Sequence, residues 1–285
     1  MHYIYLPTSW VKKNHLSAAS KVELSQDSAG NLSISPIVSE KKNISISLNI
    51  NENDMDIINK LIVGCYINPA NSFKISLEKE LDFNRLLDQK KLISLESVEL
   101  DQKTIRCESA ISISDPASLL KTMVMKIKNM IFVMTKSYNL ELINRYEEEI
   151  DRSKLLIDKA VISALTFGKP KLKNIDMYYI SLIAKDLERI ADHLICIDKS
   201  ETKFLSSVLN CMGFLKEVIE NLEVKDNRHY LSHKIATEFI KRVNKIKEED
   251  SRDIKTYDMK RIKHTLNNIS EVLINWAITK EVDKK

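Results

Sequence analysis

Helical spacing of the apolar residues dominates the sequence from Pro116 to its end. Six segments show this spacing, and Gly168, Lys169 and Pro170 end the second of them. They span 116–138, 140–167, 174–199, 203–222, 229–249 and 257–280. Asp115 and Pro116 form a typical helix start, since aspartate caps the first turn and proline fits its first position. Short connections between long helices predict antiparallel neighbours, and therefore a six-helix antiparallel bundle.

Composition supports a mainly helical chain. Glycine and proline occur only 4 and 5 times in 285 residues, which disfavours a turn-rich all-β fold. The net charge of +4 is mild, so a local patch could contact nucleic acid but the overall charge does not argue for it.

The cysteines and the first residues bear on location. Cys65, Cys107, Cys196 and Cys211 form no CxxC pair, which indicates reduced thiols in a cytosolic protein. The segment MHYIYLPTSWVKK lacks the pattern of a signal peptide, and polar residues interrupt every apolar stretch before it reaches membrane-spanning length. We therefore expect a soluble cytoplasmic protein with no integral membrane segment.

Two smaller modules precede the helices, so the predicted class is α+β, mainly α. Residues 1–37 contain several strand-like segments. In SKVELSQ and GNLSISP apolar and polar residues alternate, which predicts a β-hairpin with its turn around 27–31. Residues 38–115 mix strand patterns such as ISISLNI, FKISLEKEL, KLISLESVEL and AISIS with the helical spacing of ENDMDIINKLIVGCYI. The predicted domains are 1–37, an α/β linking module at 38–115, and a helical domain at 116–282.

The six helices could be two copies of a three-helix unit. ERIADHLICID in the third helix and KRIKHTLNNISE in the sixth both carry Arg-Ile at corresponding places. This similarity predicts an internal duplication.

Acidic side chains interrupt the apolar stripes of two neighbouring helices. Glu147 and Asp151 share a face of the second helix with apolar residues, and Glu188 and Asp192 do so on the third. Carboxylates four residues apart repel one another, and burying them without a cation is costly. If the two pairs converge, four carboxylates form an oxygen-only site suited to a hard cation or to iron.

Ion pairing is the alternative explanation for these acids. Arg152, Lys154, Lys185 and Arg189 are near in sequence and could neutralise them, as acid–base pairs on helices often do. His193 is turned about 100° from Asp192 on the helix, so we do not expect it to be a ligand. Spacing alone leaves both explanations open.

LERIADH on the third helix and EEEIDR on the second resemble the signature of PhoU-type phosphate-uptake regulators. The resemblance covers about 116–282. It implies two three-helix repeats and an iron or zinc cluster, held in the first repeat by Glu147, Asp151, Glu188 and Asp192. The second repeat departs from the family pattern: Lys260 and His264 stand where acids are expected, and on the fifth helix Arg242 follows Glu238. At most one cluster is therefore expected, and Lys260 could act as an internal cation in place of a metal.

The start of the chain resembles a second family. YIYLPTSWVKKNHL followed by KVEL is similar to the SpoVT/AbrB type of DNA-binding β-barrel, which an archaeal group of PhoU-like proteins joins to the helical domain through an α/β segment. The resemblance implies a homodimer that exchanges hairpins and binds DNA through Lys12, Lys13 and Lys21. The Gly-Asp usual after the short helix is Ala19-Ser20 here, which predicts a remodelled turn. Three surface lysines could equally serve only solubility.

The leading hypothesis is a regulator of phosphate uptake that acts by binding DNA, a phosphate transporter or a signalling partner. No nucleophile–base pair, phosphate-binding glycine loop or nucleotide fingerprint was found, so we do not expect an enzyme. The alternatives are a metal-dependent enzyme or metal store, and a metal-free helical adaptor.

Overall fold

The structure is a computed structural model that describes residues 4–26, 30–36, 44–68, 70, 72–80, 98–101, 103–108, 115–167, 172–222, 232–247 and 256–282. The chain divides into two compact units, residues 1–43 and 44–285. The sequence boundaries at 37/38 and 115/116 stay predictions.

The described residues of the first unit form a short helix and a β-hairpin. Helix α1 spans Thr8–Lys13, strand β1 spans Val22–Gln26 and strand β2 spans Leu32–Pro36. The strands are antiparallel, with Val22 opposite Pro36 and Gln26 opposite Leu32. Gly30, in the connecting loop, has φ +85°, a conformation that glycine adopts without steric cost. The hairpin predicted from the two alternating segments is therefore present, whereas residues 4–7 form no strand.

The hairpin has one apolar face. Residues directly opposite each other in an antiparallel pair lie on the same face, so one face consists of Val22, Leu24, Gln26, Leu32, Ile34 and Pro36. The exposed fractions of Leu24 and Leu32 are both 59%. Among the described residues of this unit none is buried. Two strands and a six-residue helix cannot by themselves form a stable core in water.

The turn after α1 is built without glycine. His15 takes φ +52°, and Ser20 N donates to Ser17 O at 3.0 Å while Ser17 N donates to Ser20 Oγ at 2.8 Å. Neither Ala19 nor Ser20 is among the described residues with positive φ. The described residue with positive φ in this turn is therefore His15, and not the position at which the resembling family has glycine.

A small α/β module opens the second unit. Its strands are β3 (Ser45–Ile50), β4 (Ser72–Leu77), β5 (Val98–Asp101) and β6 (Thr104–Glu108), and helix α2 spans Met55–Ile67. The sheet order is β3-β4-β6-β5; β3 and β4 are parallel across α2, and the other pairs are antiparallel. Asp54 caps α2 by accepting from Asp56 N at 2.9 Å. The strand predicted from AISIS (110–114) lies outside the described residues.

The inner face of this sheet shares a core with the helical part of the chain. Alternate residues of β4 and β6, such as Ile75 and Ile105, are buried together with Ile58 and Ile62 of α2. Leu155, which lies in the helical part, is buried in the same cluster. The alternation of apolar and polar residues in these strands is that of a sheet packed on one face only.

In the described residues from 115 onward six helices follow, each within or close to a segment that the apolar spacing predicts. They are α3 (Pro116–Lys136), α4 (Leu140–Phe167), α5 (Asn174–Leu194), α6 (Thr202–Leu222), α7 (His233–Asn244) and α8 (Tyr257–Val282). Asp115 caps α3 as expected, accepting from Ser118 N at 3.1 Å. Ser232 caps α7 in the same way, accepting from Ile235 N at 3.5 Å.

Helix α5 ends earlier than predicted. It stops at Leu194 instead of residue 199, because the chain tightens into turns in which Cys196 N donates to His193 O and Ile197 N to Leu194 O. Such three-residue hydrogen bonds are common where an α-helix ends. Helix α7 is shorter than the predicted 229–249; residues 229–231 and 248–249 lie outside the described residues.

One apolar core joins the six helices. Helices α3, α4 and α5 pack against one another, α7 packs between α6 and α8, and the two groups meet through α3 with α6 and α5 with α8. If α3–α5 and α6–α8 are two repeats, the first helix of each (α3 and α6) contacts the other, and so does the third helix of each (α5 and α8). A twofold relation between the two repeats would give this pairing. The duplication, and the assignment of the whole as an antiparallel six-helix bundle, stay predictions.

Candidate metal centre

Three of the four predicted acidic ligands come together between α4 and α5. Glu147 and Asp151 lie one turn apart on α4, and Asp192 lies near the end of α5. One carboxylate oxygen of each lies within 4.8 Å of the others. Glu147 and Asp151 are half-buried and Asp192 is exposed. The site thus opens to solvent on the α5 side.

Glu188 does not belong to this group of three. It is half-buried on α5, one turn before Asp192. Its role as a fourth ligand stays a prediction.

Two of the basic side chains considered as partners are engaged with other acids. Lys154 Nζ lies 2.7 Å from Asp158 Oδ2, and Arg189 lies 3.3 Å from Asp186 Oδ1. Glu147, Asp151 and Asp192 also interact within the chain. Ion pairing and metal binding therefore both stay open as explanations of these acids.

His193 contacts the start of α8. Its Nδ1 lies 2.8 Å from Asp258 Oδ1 in the first turn of α8, and its ring meets Tyr257 edge-on at 6.2 Å. The histidine therefore ties α5 to α8. That His193 is not a metal ligand stays a prediction.

Cys196 lies near the carboxylates of Asp192 and Asp258. The pKa of its thiol is raised, first by partial burial of the sulfur and then by the carboxylates of Asp258 and Asp192. Burial likewise raises the pKa of Cys211 to about 11. Neither thiol is activated as a nucleophile, since the thiolate is the reactive form.

Two basic residues that stand where the sequence resemblance predicts acids, Arg242 and Lys260, lie on α7 and α8. Arg242 Nε lies 3.5 Å from Glu238 Oε1, and the guanidinium hydrogen-bonds Asn210 and lies 4.5 Å from the centre of the Phe214 ring. Lys260 occupies the first turn of α8. Among the described residues, Glu147, Asp151 and Asp192 are the group of three with metal-binding geometry.

The predicted DNA-binding lysines are exposed. Lys12 and Lys13 occupy the last turn of α1, and Lys21 directly precedes β1. Three exposed ammonium groups could contact phosphates.

A buried polar cluster between α5 and α8 was missed at the sequence level. Asp176, with 4% of its surface exposed, accepts from Trp276 Nε1 at 2.7 Å and from Lys280 Nζ at 2.7 Å. Tyr179 stacks on Trp276 at 5.6 Å, and its hydroxyl lies 2.9 Å from Thr279 Oγ1. The four-residue spacing of Trp276 and Lys280 predicts that they share one face of the helix. Their partner, Asp176, lies about 100 residues earlier in the chain, and no local sequence pattern predicts that contact.

No helix in the described ranges has the length and apolar character needed to cross a membrane.

Residues 113–197 match the family model of the PhoU domain. The matched segment contains α3, α4 and α5 and therefore all four predicted acidic ligands. Neither the curated proteins nor the solved structures include a significant match to this chain.

Proposed function

We propose that this chain regulates phosphate uptake by binding to other molecules, and that it is not an enzyme. The observation that carries the proposal is the PhoU match over 113–197, together with the three carboxylates that gather inside it. A PhoU domain implies a role in phosphate homeostasis and contact with components of the phosphate transport system. The cytoplasm is the proposed location, where all four cysteines, none of them in a disulfide, would stay reduced.

The carboxylate group fits a hard metal ion. Glu147, Asp151 and Asp192 offer three oxygens and no nitrogen or sulfur, which suits iron better than zinc. Half-burial of two of the acids would strengthen their attraction to a cation. A bound ion would supply positive charge between α4 and α5 and fix the two helices relative to each other. We propose a structural or signalling role for it rather than storage or catalysis.

The amino-terminal unit is proposed to form a homodimer that contacts DNA. The support is the apolar face of the hairpin, where Leu24 and Leu32 are largely exposed in a unit without a buried described residue. The same face of a second copy would cover it. Lys12, Lys13 and Lys21 would then be present twice, and paired basic patches increase affinity for a phosphate backbone.

The regulatory proposal is tested in the source organism. The gene is deleted and then restored as the original or as Glu147→Gln/Asp151→Asn/Asp192→Asn, and phosphate uptake is measured in phosphate-rich and phosphate-poor medium. Deletion should remove the difference in uptake between the media, the original should restore it, and the triple variant should not. Glu149→Gln is the matched control, because Glu149 lies on the same helix but pairs with Lys126 and Arg145. Unchanged uptake after deletion would contradict the proposal.

A further inference from the structure

We propose that a groove between α3 and α6 binds a helical segment of a partner protein that carries a carboxylate and, one turn away, an apolar side chain. The groove has a volume of about 480 Å³. It is lined by three residues of α3 and three of α6, namely Lys128, Asn129, Phe132, Ser206, Leu209 and Asn210. None of these side chains belongs to the candidate metal centre on α4 and α5.

The groove lies at an interface where lysines of α3 face α6. Lys121 Nζ of α3 lies 3.0 Å from Glu220 Oε1 of α6. About two turns further along both helices, Lys128 faces Gly213: its Nζ lies 3.9 Å from the position that a Cβ on residue 213 would take. The position that carries an acid at the first contact therefore carries no side chain at the second.

The ammonium group of Lys128 has no anionic partner among the described residues. Lys128 is half-buried, and no hydrogen bond or ion pair links it to another part of the chain. The described lining of the groove contains no carboxylate. A half-buried cation is attracted to a counter-charge more strongly than one in open solvent, because water screens the attraction less. A carboxylate of a partner, placed above Gly213, would make the contact that Glu220 makes with Lys121.

An apolar surface adjoins this charge. Phe132 lies one turn after Lys128 on α3, and its exposed fraction is 56%. Leu209 of α6, which is half-buried, lines the same groove. Covering an exposed aromatic ring with an apolar side chain is favourable. Because residues i and i+4 of a helix are also one turn apart, a helix lying along the groove can place an acid at Lys128 and an apolar residue at Phe132.

The remaining lining favours a protein segment over a small molecule or nucleic acid. Asn210 Oδ1 accepts a hydrogen bond from Arg242, which leaves Nδ2 to donate to a ligand. Four of the six lining residues are exposed, whereas sites for small molecules usually enclose them. One lysine lines the groove, and nucleic-acid affinity requires several phosphate contacts. A helix docked in a groove through a few anchor residues fits these features.

The experiment is a selection of short helical peptides, displayed on phage with one face randomised, against the full chain. We expect the selected peptides to carry Asp or Glu three or four positions from an apolar residue. A selected peptide labelled with fluorescein is then titrated by fluorescence anisotropy. Lys128→Gln should weaken its binding about tenfold, the size of a hydrogen bond to a charged group. Lys185→Gln, at an exposed position of α5, should leave the affinity unchanged.

A carboxylate built into residue 213 gives a sharper test. In Gly213→Glu the new side chain would pair with Lys128 and occupy the place of the partner's acid, so we expect peptide binding to be lost and the melting temperature to rise. Gly213→Ala is the matched control. Its Cβ would make ordinary van der Waals contact with Lys128 Nζ, and alanine favours the helix, so this variant should also melt higher but should retain binding.

Three outcomes overturn the inference. The first is a selection that yields no peptide, or peptides without an acid. The second is binding that is equal in the original and in Lys128→Gln when the melting temperatures show both to be folded. The third is loss of self-association in Gly213→Glu, measured by sedimentation velocity, because a second copy would then occupy the groove. Every readout uses the purified chain, so the result does not depend on whether the chain regulates phosphate uptake.

Discussion

Trp276 donates its indole N–H to Asp176 across 2.7 Å, joining the last turns of α8 to the first turn of α5. Lys280 Nζ contacts the other oxygen of the same carboxylate at 2.7 Å. The three side chains connect the third helices of the two predicted repeats. A buried charge of this kind is tolerated because each of its oxygens has a partner.

Removing the charge of Asp176 should destabilise the protein. Asp176→Asn leaves the Lys280 ammonium without its buried counter-charge, so we expect a loss of about 3 kcal/mol in the free energy of unfolding. The double variant Asp176→Asn/Lys280→Met should lose less, since it also removes the stranded cation. Urea unfolding at equal m-value provides the measurement, with Tyr179→Phe as the milder control, expected near 1 kcal/mol. Equal stability of Asp176→Asn and the original would show that the cluster contributes nothing.

Metal binding should depend on the three converging acids and not on Glu188. Single changes Glu147→Gln, Asp151→Asn and Asp192→Asn should each weaken iron binding at least about tenfold, the size of effect found even for groups that only support a ligand. Glu188→Gln should retain the metal. Elemental analysis after reconstitution with ferrous iron measures this. Loss of iron in Glu188→Gln would favour the four-residue site predicted from sequence, and no iron in the original would favour ion pairing.

DNA binding should depend on salt through the amino-terminal lysines. Each phosphate contact contributes about 0.9 to the slope of log affinity against log salt concentration. Lys12→Ala/Lys13→Ala should therefore reduce the slope by about 2 per chain, and adding Lys21→Ala should reduce it further. Lys234→Ala, an exposed lysine of α7, is the control. An unchanged slope in the triple variant would remove DNA contact by these lysines.

The apolar hairpin face should decide the oligomeric state. Leu24→Glu/Leu32→Glu places charges on the face proposed to be covered by a second copy, so the dimer should dissociate. Glu23→Gln/Ser33→Ala changes the opposite face of the same hairpin and should leave the dimer intact. Sedimentation velocity over a range of concentrations measures the association. A monomer in the original chain at all concentrations would contradict the dimer.

Asp186 should make stability fall as pH rises through the acid range. Burial raises the pKa of this carboxyl, and the neighbouring Arg189 opposes the rise only in part. The folded state therefore prefers the protonated form. The resulting stability is complete below the ordinary pKa of aspartate and is lost as pH rises through the raised value.

Asp186→Asn removes this titration. Relative to the original, the variant should gain stability as pH rises above the ordinary pKa of aspartate, until it passes the raised pKa of Asp186, as measured by urea unfolding at each pH. Glu217→Gln, at an exposed position of α6, should show no such trend. A variant that loses stability with rising pH would mean that the ionised Asp186 stabilises the fold through Arg189.

Local pattern predicted the helices well and long-range contacts poorly. The start of α3 is set by Asp115 and Pro116, which act within one turn, so sequence suffices to place it. Helix α5 is different: its predicted extension to residue 199 continues the apolar spacing, but the chain leaves the helix at Leu194. The acidic site shows the same division. The helical period predicts which face of α5 carries Asp192. Whether Glu188 joins the group depends instead on the point at which α5 crosses α4, which the local sequence does not determine.

Leu155 of α4 is buried in the core of the α/β module, and Lys159 of the same helix lies 4.4 Å from the centre of the Tyr66 ring on α2. A shortened chain that began at Pro116 would leave both side chains facing water, although its own helices would be complete. Residues 44–282 should accordingly melt in a single cooperative transition, and a metal bound to the helices should raise the melting temperature of the sheet as well.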